Sequence, residues 1–355
     1  MMTRKKICGA AVAVVGLILA AASNAGASPT DVELESSTLL TTRGESAGFI
    51  VTPGTGYDGV ADIIVDTPGG FIRGSGVLIQ GGGARYVLTA AHVVDQMVSM
   101  GASSVFFDMR ASAGGRTQVG IAAVYIQPQW DGNFMYGNDL AIIELAAPAP
   151  AGAEEYPIYR GSGEVGAVST KLGYGRSGTG DEGDVIHSGT KRMGENLYDA
   201  LASIFADPAH GDIFGQNHID PPLAGAQLAY DFDNGFDAND AFGVFLGIHD
   251  LGVAREVLAA PGDSGGPTFI KVAGIDQVAG ITSYGMRMAY TDPPTTSDID
   301  DVLNSSYGEF GVDTRVSYYA PWVDSVISVV VPEPMTLTLM LLGLAGLGAR
   351  YLRKR

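Results

Sequence analysis

The sequence predicts an all-β fold, either a sandwich or a barrel, for the body of the chain. The 355 residues include 50 glycines, and few segments carry apolar residues at helical spacing. Short apolar runs recur between turn residues, at 76–79, 86–88, 140–145, 243–246 and 278–281. Many short strands joined by glycine-rich turns are typical of sandwiches and barrels, and no repeat of fixed period divides the chain.

Residues 1–27 are predicted to be a secretory signal peptide. A basic triplet at 4–6 precedes an uncharged run over 7–22, and Ala25-Gly26-Ala27 fits a cleavage site. An uncleaved membrane anchor is the alternative, but the run is short and ends in a cleavable sequence. The only cysteine is Cys8. The exported protein is therefore expected to fold without disulfides.

The body divides at a linker rich in proline and alanine over 147–153. We expect an N-terminal segment or propeptide at 28–49, a first domain at 50–153 and a second at 154–330. About 300 residues suffice for one large or two small domains. Apolar residues at helical spacing over 320–327 predict one short C-terminal helix.

Residues 331–355 combine Val331-Pro332-Glu333-Pro334, an uncharged run over 335–349 and a basic end. This order resembles the PEP-CTERM sorting signal of Gram-negative bacteria, whose tail an exosortase-type membrane protease recognises and removes. The resemblance implies passage through the periplasm or inner membrane, with transient inner-membrane anchoring by a transmembrane helix. It also implies a final place at the cell surface or in the extracellular matrix. An ordinary C-terminal anchor is the alternative.

The charge balance excludes some partners. The chain has 21 basic and 39 acidic residues, a net charge of −18. Three of the basic residues lie in the predicted signal peptide and four in the tail, so the body is more acidic still. Such a surface repels nucleic acid and anionic lipid. We expect no nucleic-acid partner.

The heptapeptide Pro261-Gly262-Asp263-Ser264-Gly265-Gly266-Pro267 carries the strongest chemical signal. A serine hydroxyl is a poor nucleophile unless a base removes its proton. It also needs backbone N–H groups directed at the developing oxyanion, and glycines beside the serine allow the backbone to present them. The expected donors are the N–H groups of Gly262 and Ser264.

Two further local sequences supply partners for this serine. His92 follows the apolar run Tyr86-Val87-Leu88, and Asp139 precedes the apolar run that starts at Leu140. The chain order His92, Asp139, Ser264 is that of chymotrypsin, while subtilisins and α/β-hydrolases use other orders.

With these motifs, residues 50–328 resemble the trypsin/chymotrypsin family of serine proteases. Further matches are 74–79 before the histidine, 281–285 in the expected substrate-binding strand, 313–317, and 322–323 before the terminal helix. The resemblance implies two antiparallel six-stranded β-barrels with the active site between them, followed by a short C-terminal helix.

The resemblance also implies roles. Ser264 attacks the scissile carbonyl, His92 moves the proton, and Asp139 orients the histidine. Ser283, Tyr284 and Gly285 form the strand that binds the main chain of a protein or peptide substrate. No cofactor is required for this chemistry.

The family's primary specificity pocket has its floor six residues before the nucleophile, which here is Leu258. An apolar floor implies cleavage after apolar residues, because a cation buried against leucine would cost several kcal/mol. An insertion before Ser264 would instead place a different residue there, and Glu256 lies two positions away.

The sequence departs from the family in two respects. The 125 residues from Asp139 to Ser264 exceed the usual spacing and imply inserted loops over roughly 175–240. Ile50-Val51 resembles the mature N-terminus that pairs with Asp263 in the family, but no basic residue precedes it. Arg43-Gly44 is a second candidate cleavage point, and a chain without propeptide cleavage is the alternative.

One segment of the insertion is strongly acidic. Asp231, Asp233 and Asp237 alternate with other residues around a turn, and calcium prefers such oxygen ligands. The spacing is not that of an EF-hand. A structural calcium site and a solvated acidic turn are both consistent with this segment.

Two functional classes remain open. The first is an active endopeptidase, and the second is a non-catalytic surface or matrix protein on a protease scaffold. His92, Asp139 and Ser264 are all present, which favours the endopeptidase.

Overall fold

The computed structural model describes residues 32–34, 40–41, 48–67, 70–100, 103–109, 115–206, 225–248, 251–252, 255–288 and 298–330. The predicted signal peptide and the sorting signal lie outside these ranges. In chain order the strands are β1 (Val32–Leu34), β2 (Leu40–Thr41), β3 (Val60–Thr67), β4 (Gly70–Leu78), β5 (Tyr86–Thr89), β6 (Ser103–Met109), β7 (Gly115–Val119), β8 (Ile121–Ile126), β9 (Ala141–Leu145), β10 (Val168–Gly173), β11 (Ser177–Thr179), β12 (Gly183–Ile186), β13 (Arg192–Leu197), β14 (Ala200–Leu201), β15 (Gln227–Asp231), β16 (Leu258–Ala259), β17 (Pro267–Val272), β18 (Ile275–Met288) and β19 (Phe310–Arg315). The helices are α1 (Ala91–Met100), α2 (Ala241–Leu246) and α3 (Val316–Val330), with short 3-10 helices at Phe134–Tyr136 and Ala202–Ala206.

Two large antiparallel sheets dominate, which confirms the predicted all-β class. The first sheet has the order β7-β6-β3-β4-β5-β9-β8, and the second has the order β13-β10-β17-β18-β19-β15-β14 with β1 also paired to β18. They thus contain seven and eight strands in the described residues, where the resemblance implied six each. One cause is the N-terminal segment. It contributes β1, which pairs with an edge of β18 that would otherwise be left open.

The principal core lies in the first sheet and continues to the C-terminal helix. Apolar residues of β5 and β9 are fully buried, including Val87, Leu88, Ile142 and Ile143. The same cluster contains Val316, Tyr319, Val323 and Val326 from α3. These four recur every three to four residues and form one face of the helix. The helix therefore begins earlier than the sequence predicted, because its apolar face continues back to Val316.

Hydrogen bonds through Ser75 of β4 join the first sheet to the loop that carries Ser264. The N–H of Ser75 donates to the Ser264 carbonyl at 2.7 Å, and its hydroxyl donates to the Gly262 carbonyl at 3.1 Å. The hydroxyl also accepts from the N–H of Tyr174 at 3.1 Å. The serine loop is consequently held between the two sheets.

The expectation of a transmembrane helix requires correction. Within the described ranges, every helix is too short or too polar to span a bilayer. The run over 335–349, on which the expectation rested, lies outside those ranges. Its length is also below the ~20 apolar residues that a spanning helix needs.

Candidate active site

A continuous chain of hydrogen bonds joins Asp139, His92 and Ser264. The Nδ1 atom of His92 lies 2.8 Å from Asp139 Oδ2, and its Nε2 atom lies 2.7 Å from Ser264 Oγ. Asp139 Oδ1 accepts the backbone N–H of His92 at 2.9 Å. All three side chains are buried, and only His92 retains slight exposure. The arrangement allows the histidine to accept the serine proton while the carboxylate fixes the orientation of the ring.

The first sheet brings His92 and Asp139 together. His92 lies in the first turn of α1, which begins two residues after the last residue of β5, and Asp139 lies two residues before the start of β9. β5 and β9 are antiparallel neighbours with Thr89 opposite Ala141. The end of β5 therefore lies beside the start of β9. The two segments, distant in sequence, meet at the same end of these neighbouring strands.

Several residues hold Asp139 in place that the sequence did not single out. The hydroxyl of Thr314 donates to the Asp139 carbonyl at 2.9 Å, and the Tyr319 hydroxyl accepts the N–H of Asn138 at 2.7 Å. Asn138 itself has a φ of 62°, a conformation that asparagine tolerates better than most residues. Ser283 donates its hydroxyl to Asp139 Oδ2 at 2.6 Å. The sequence predicts Ser283 only as a substrate-binding residue, so this contact with Asp139 is an additional finding.

The loop around Ser264 depends on glycine at two positions. Gly262 and Gly265 have φ values of 106° and 78°. A Cβ at Gly265 would lie 2.0 Å from the Thr89 hydroxyl oxygen, so a side chain would collide with β5. In the described part of the chain, the N–H groups of Gly262 and Ser264 donate to no protein acceptor. These are the two N–H groups predicted as oxyanion donors.

Asp263, which directly precedes Ser264 in this loop, has a buried side chain. Its carboxylate accepts the N–H of Gly175 at 2.7 Å. Burial raises its pKa well above the usual range, while that hydrogen bond, Arg192 and Arg73 act in the opposite direction. Ile50, the candidate mature N-terminus, forms a bridge with Arg192. The proposal of propeptide cleavage stays a prediction.

The predicted substrate-binding residues Ser283, Tyr284 and Gly285 lie in β18. β19 pairs with one edge of this stretch. On the other edge, the pairing with β17 ends at Ile281. The Tyr284 ring is buried and lies 5.1 Å from the ring of Phe134. Ser283 and Gly285 are buried as well, and within the described residues no strand pairs with the second edge of this stretch.

Leu258, the predicted pocket floor, is buried in β16, where it lies opposite Thr41 of β2. It belongs to a cluster that includes Tyr198 and Tyr230. Glu256, the alternative floor residue, accepts the N–H groups of Leu251 at 3.0 Å and Asp233 at 3.4 Å. Its carboxylate is thus directed at the acidic segment.

Behind the serine loop lies a buried ion pair that the sequence did not suggest. Asp313 Oδ2 accepts from Lys171 Nζ at 2.7 Å and from the Thr268 hydroxyl at 2.6 Å. Both charged residues are almost fully buried. Burial lowers the pKa of Lys171, and the adjacent Asp313 raises it. Asp313 is opposite Thr282, directly before Ser283. The ion pair therefore lies next to the part of β18 that carries the predicted substrate-binding residues.

The acidic segment forms a compact group with a different membership from the one expected. Carboxylate oxygens of Asp231, Asp233 and Asp240 lie within 4.8 Å of one another. Asp237 is exposed and lies outside this group. Asp240 joins it because it caps α2, accepting the N–H of Gly243 at 2.6 Å. The capping bond thus fixes the Asp240 carboxylate at the N-terminus of α2, where it lies close to those of Asp231 and Asp233.

These carboxyl groups affect each other's ionisation. Burial, with Asp233 and Asp240 nearby, raises the pKa of Asp231 to about 8. Burial and the neighbouring Asp233 raise the pKa of Glu256 to about 9. The group therefore has oxygen ligands and an unfavourable negative charge at one place, which suits a hard cation such as calcium.

Two family models match the sequence. The trypsin model matches residues 68–198, a range that includes His92 and Asp139, and the PEP-CTERM protein-sorting motif matches residues 330–355. The second match indicates export through a Gram-negative envelope. No curated protein matches the chain. Both family resemblances expected from the sequence are thus confirmed.

Proposed function

We propose that the chain is an exported serine endopeptidase acting through an acyl-enzyme, in keeping with the match of the trypsin family model to residues 68–198. The observation that carries this proposal is the hydrogen-bond chain from Asp139 through His92 to Ser264 Oγ, with separations of 2.8 and 2.7 Å. A non-catalytic scaffold has no need for a serine hydroxyl that is hydrogen-bonded to a histidine, nor for a buried carboxylate that orients that histidine.

In the proposed reaction, Ser264 Oγ bonds to the carbonyl carbon of the scissile peptide while its proton passes to His92 Nε2. The carbonyl oxygen becomes an oxyanion near the N–H groups of Gly262 and Ser264. The carbon–nitrogen bond then breaks, and His92 returns the proton to the leaving amine. Water repeats the sequence on the acyl-enzyme and regenerates the serine. Asp139 stabilises the imidazolium in both halves.

Replacement of Ser264 by alanine tests the proposal. We expect kcat to fall by roughly 10⁴-fold or more, because serine and histidine act as a unit, and labelling by a fluorophosphonate probe to disappear. Ser162→Ala is the matched control, since Ser162 is exposed and distant in the chain. It should retain labelling and turnover. Equal peptide cleavage by Ser264→Ala and the wild type would refute the mechanism.

We further propose cleavage after apolar residues, with Leu258 at the floor of the primary pocket. The engagement of Glu256 with the N–H groups of Leu251 and Asp233 supports this assignment over the acidic alternative. A peptide-library cleavage profile should show Leu, Phe or Met before the cleaved bond. A strong preference for Arg or Lys would overturn it.

For localisation, we propose that an exosortase-type enzyme recognises Val331-Pro332-Glu333-Pro334 and removes the tail, leaving the protease at the cell surface or in the extracellular matrix. The match over 330–355 supports recognition of this motif. Mass spectrometry of the exported protein should find a new C-terminus near the motif. Exported protein that still ends at Arg355 would contradict this.

We also propose that the group of Asp231, Asp233 and Asp240 holds a structural calcium ion. The convergence of three carboxylates within 4.8 Å supports it. The ion would offset the effect of burial and of the neighbouring Asp233 and Asp240, which together raise the pKa of Asp231. The catalytic chemistry does not use this ion.

A further inference from the structure

β18 offers its two edges to different partners along its length. One edge pairs with β19 from Gly280 to Met286. The opposite edge pairs with β17 as far as Ile281, and Thr282 exchanges hydrogen bonds with Gly265 and Gly266, each at 2.9 Å. At 283–285, no strand of the described residues pairs with this second edge.

β1 pairs with the next three residues of β18. Leu34 lies opposite Met286, Glu33 opposite Arg287 and Val32 opposite Met288, in antiparallel register. Met286 also pairs with Phe310 of β19. Because a strand has two edges, β1 must lie on the edge opposite β19. This is the same edge that is open at 283–285.

The direction of β1 matters. Since the pairing is antiparallel, β1 runs from Met288 toward Met286, and hence toward Ser283 and the Ser264 hydroxyl. A substrate whose acyl side adds to β18 as an antiparallel strand runs the same way. Its three residues nearest the scissile bond would face Ser283, Tyr284 and Gly285. Residues farther toward its N-terminus would need the positions that β1 occupies.

We propose that β1 limits the acyl side of the substrate to about three residues, so that longer substrates must displace it. This inference rests on the proposed endopeptidase function of the same site. A second strand of the N-terminal segment strengthens the arrangement. β2 pairs with β16, with Leu40 opposite Ala259 and Thr41 opposite Leu258. Tethering at two points of one chain gives β1 a high effective concentration at its site.

A disulfide lock tests the proposal. The only natural cysteine lies in the predicted signal peptide, so introduced thiols pair with each other. Leu34→Cys with Met286→Cys joins directly opposite residues, and opposite Cα atoms in antiparallel strands are about 4.5–5.5 Å apart, within disulfide range. Lys271→Cys with Asp276→Cys is the matched control, because it locks β17 to β18 between an exposed and a partly buried position.

Two fluorogenic peptides share the same three acyl-side residues, and one carries three more before them. In the oxidised Leu34→Cys/Met286→Cys protein we expect kcat/KM for the long peptide to fall at least ~10-fold relative to the short one. Dithiothreitol should restore it. Oxidation of the control should change neither peptide. A variant beginning at Gly48 should cleave the long peptide at least as fast as the short one.

Equal cleavage of both peptides by the oxidised protein would overturn the proposal, as would failure of the two cysteines to pair. A fluorophosphonate probe separates this result from failure of the proposed function. The probe reacts with Ser264 without needing the distant edge of β18. If it labels no form of the protein, the endopeptidase assignment fails; if it labels all forms while the lock has no effect, only the role of β1 fails.

Discussion

Two adjacent strands of the second sheet, β15 and β19, accommodate buried carboxylates in opposite ways. On β19, Asp313 accepts from Lys171 at 2.7 Å, so positive and negative charge meet inside the protein. At the end of β15, Asp231 lies instead with Asp233 and Asp240. A buried charge is tolerated when a partner offsets it. In the first region the chain itself supplies the opposite charge. The second region brings like charges together and therefore favours binding of a proton or a cation.

The Lys171–Asp313 pair should be the more sensitive of the two regions to substitution. Lys171→Met leaves the Asp313 carboxylate buried without its cation, and breaking such a pair typically costs 3–5 kcal/mol. Lys171 Nζ also lies 3.6 Å from the centre of the Tyr230 ring, an attraction that is lost as well. Denaturant unfolding should report this loss in the free energy of unfolding.

Lys271→Met is the matched control for that experiment. Lys271 is on β17 and pairs with Asp276 at 2.6 Å, but its side chain is exposed. Exposed pairs contribute about 0–1 kcal/mol, so this variant should stay close to the wild type. Lys171→Met with Asp313→Leu should recover much of the loss, because neither charge is left alone. Similar losses from Lys171→Met and Lys271→Met would show that burial of the first pair has little energetic weight.

The two regions also differ in how far the sequence predicted them. The acidic segment was visible as a local run, but its membership was not, because Asp240 joins the group through its cap on α2 while Asp237 is exposed. Lys171 and Asp313 are 142 residues apart in the chain. No local pattern marks such a pair, since only the pairing of strands brings its members together.

The same contrast applies to the candidate active site. His92, Asp139 and Ser264 each lie in a short diagnostic sequence, so the residues next to them in the chain are sufficient to predict all three. The bond from Ser283 to Asp139 links positions 144 residues apart. The pairing of β1 with β18 likewise depends on which edge the sheet leaves open. The all-β class was predictable from short apolar runs and glycine-rich turns, whereas the number of strands depends on those long-range pairings.

Calcium should have the smaller effect, and it should act on the second region only. Binding to the native state alone stabilises by about 2.7 kcal/mol when the ion is at 100 times its Kd. We expect calcium to raise Tm by several degrees and EGTA to reverse the rise. Asp233→Asn should abolish this response, because Asp233 supplies one of the three converging carboxylates.

Asp237→Asn provides the matched control, since it removes the same charge from the same loop at an exposed position outside the group. It should keep the full calcium response. If Asp237→Asn lost the response while Asp233→Asn kept it, the ion would be bound by the exposed turn. A wild-type Tm that calcium leaves unchanged would mean that the group is satisfied by protons, in agreement with the raised pKa of Asp231. Both strands would then carry buried carboxylates that need no external ion, and the contrast between β15 and β19 would reduce to a difference in protonation.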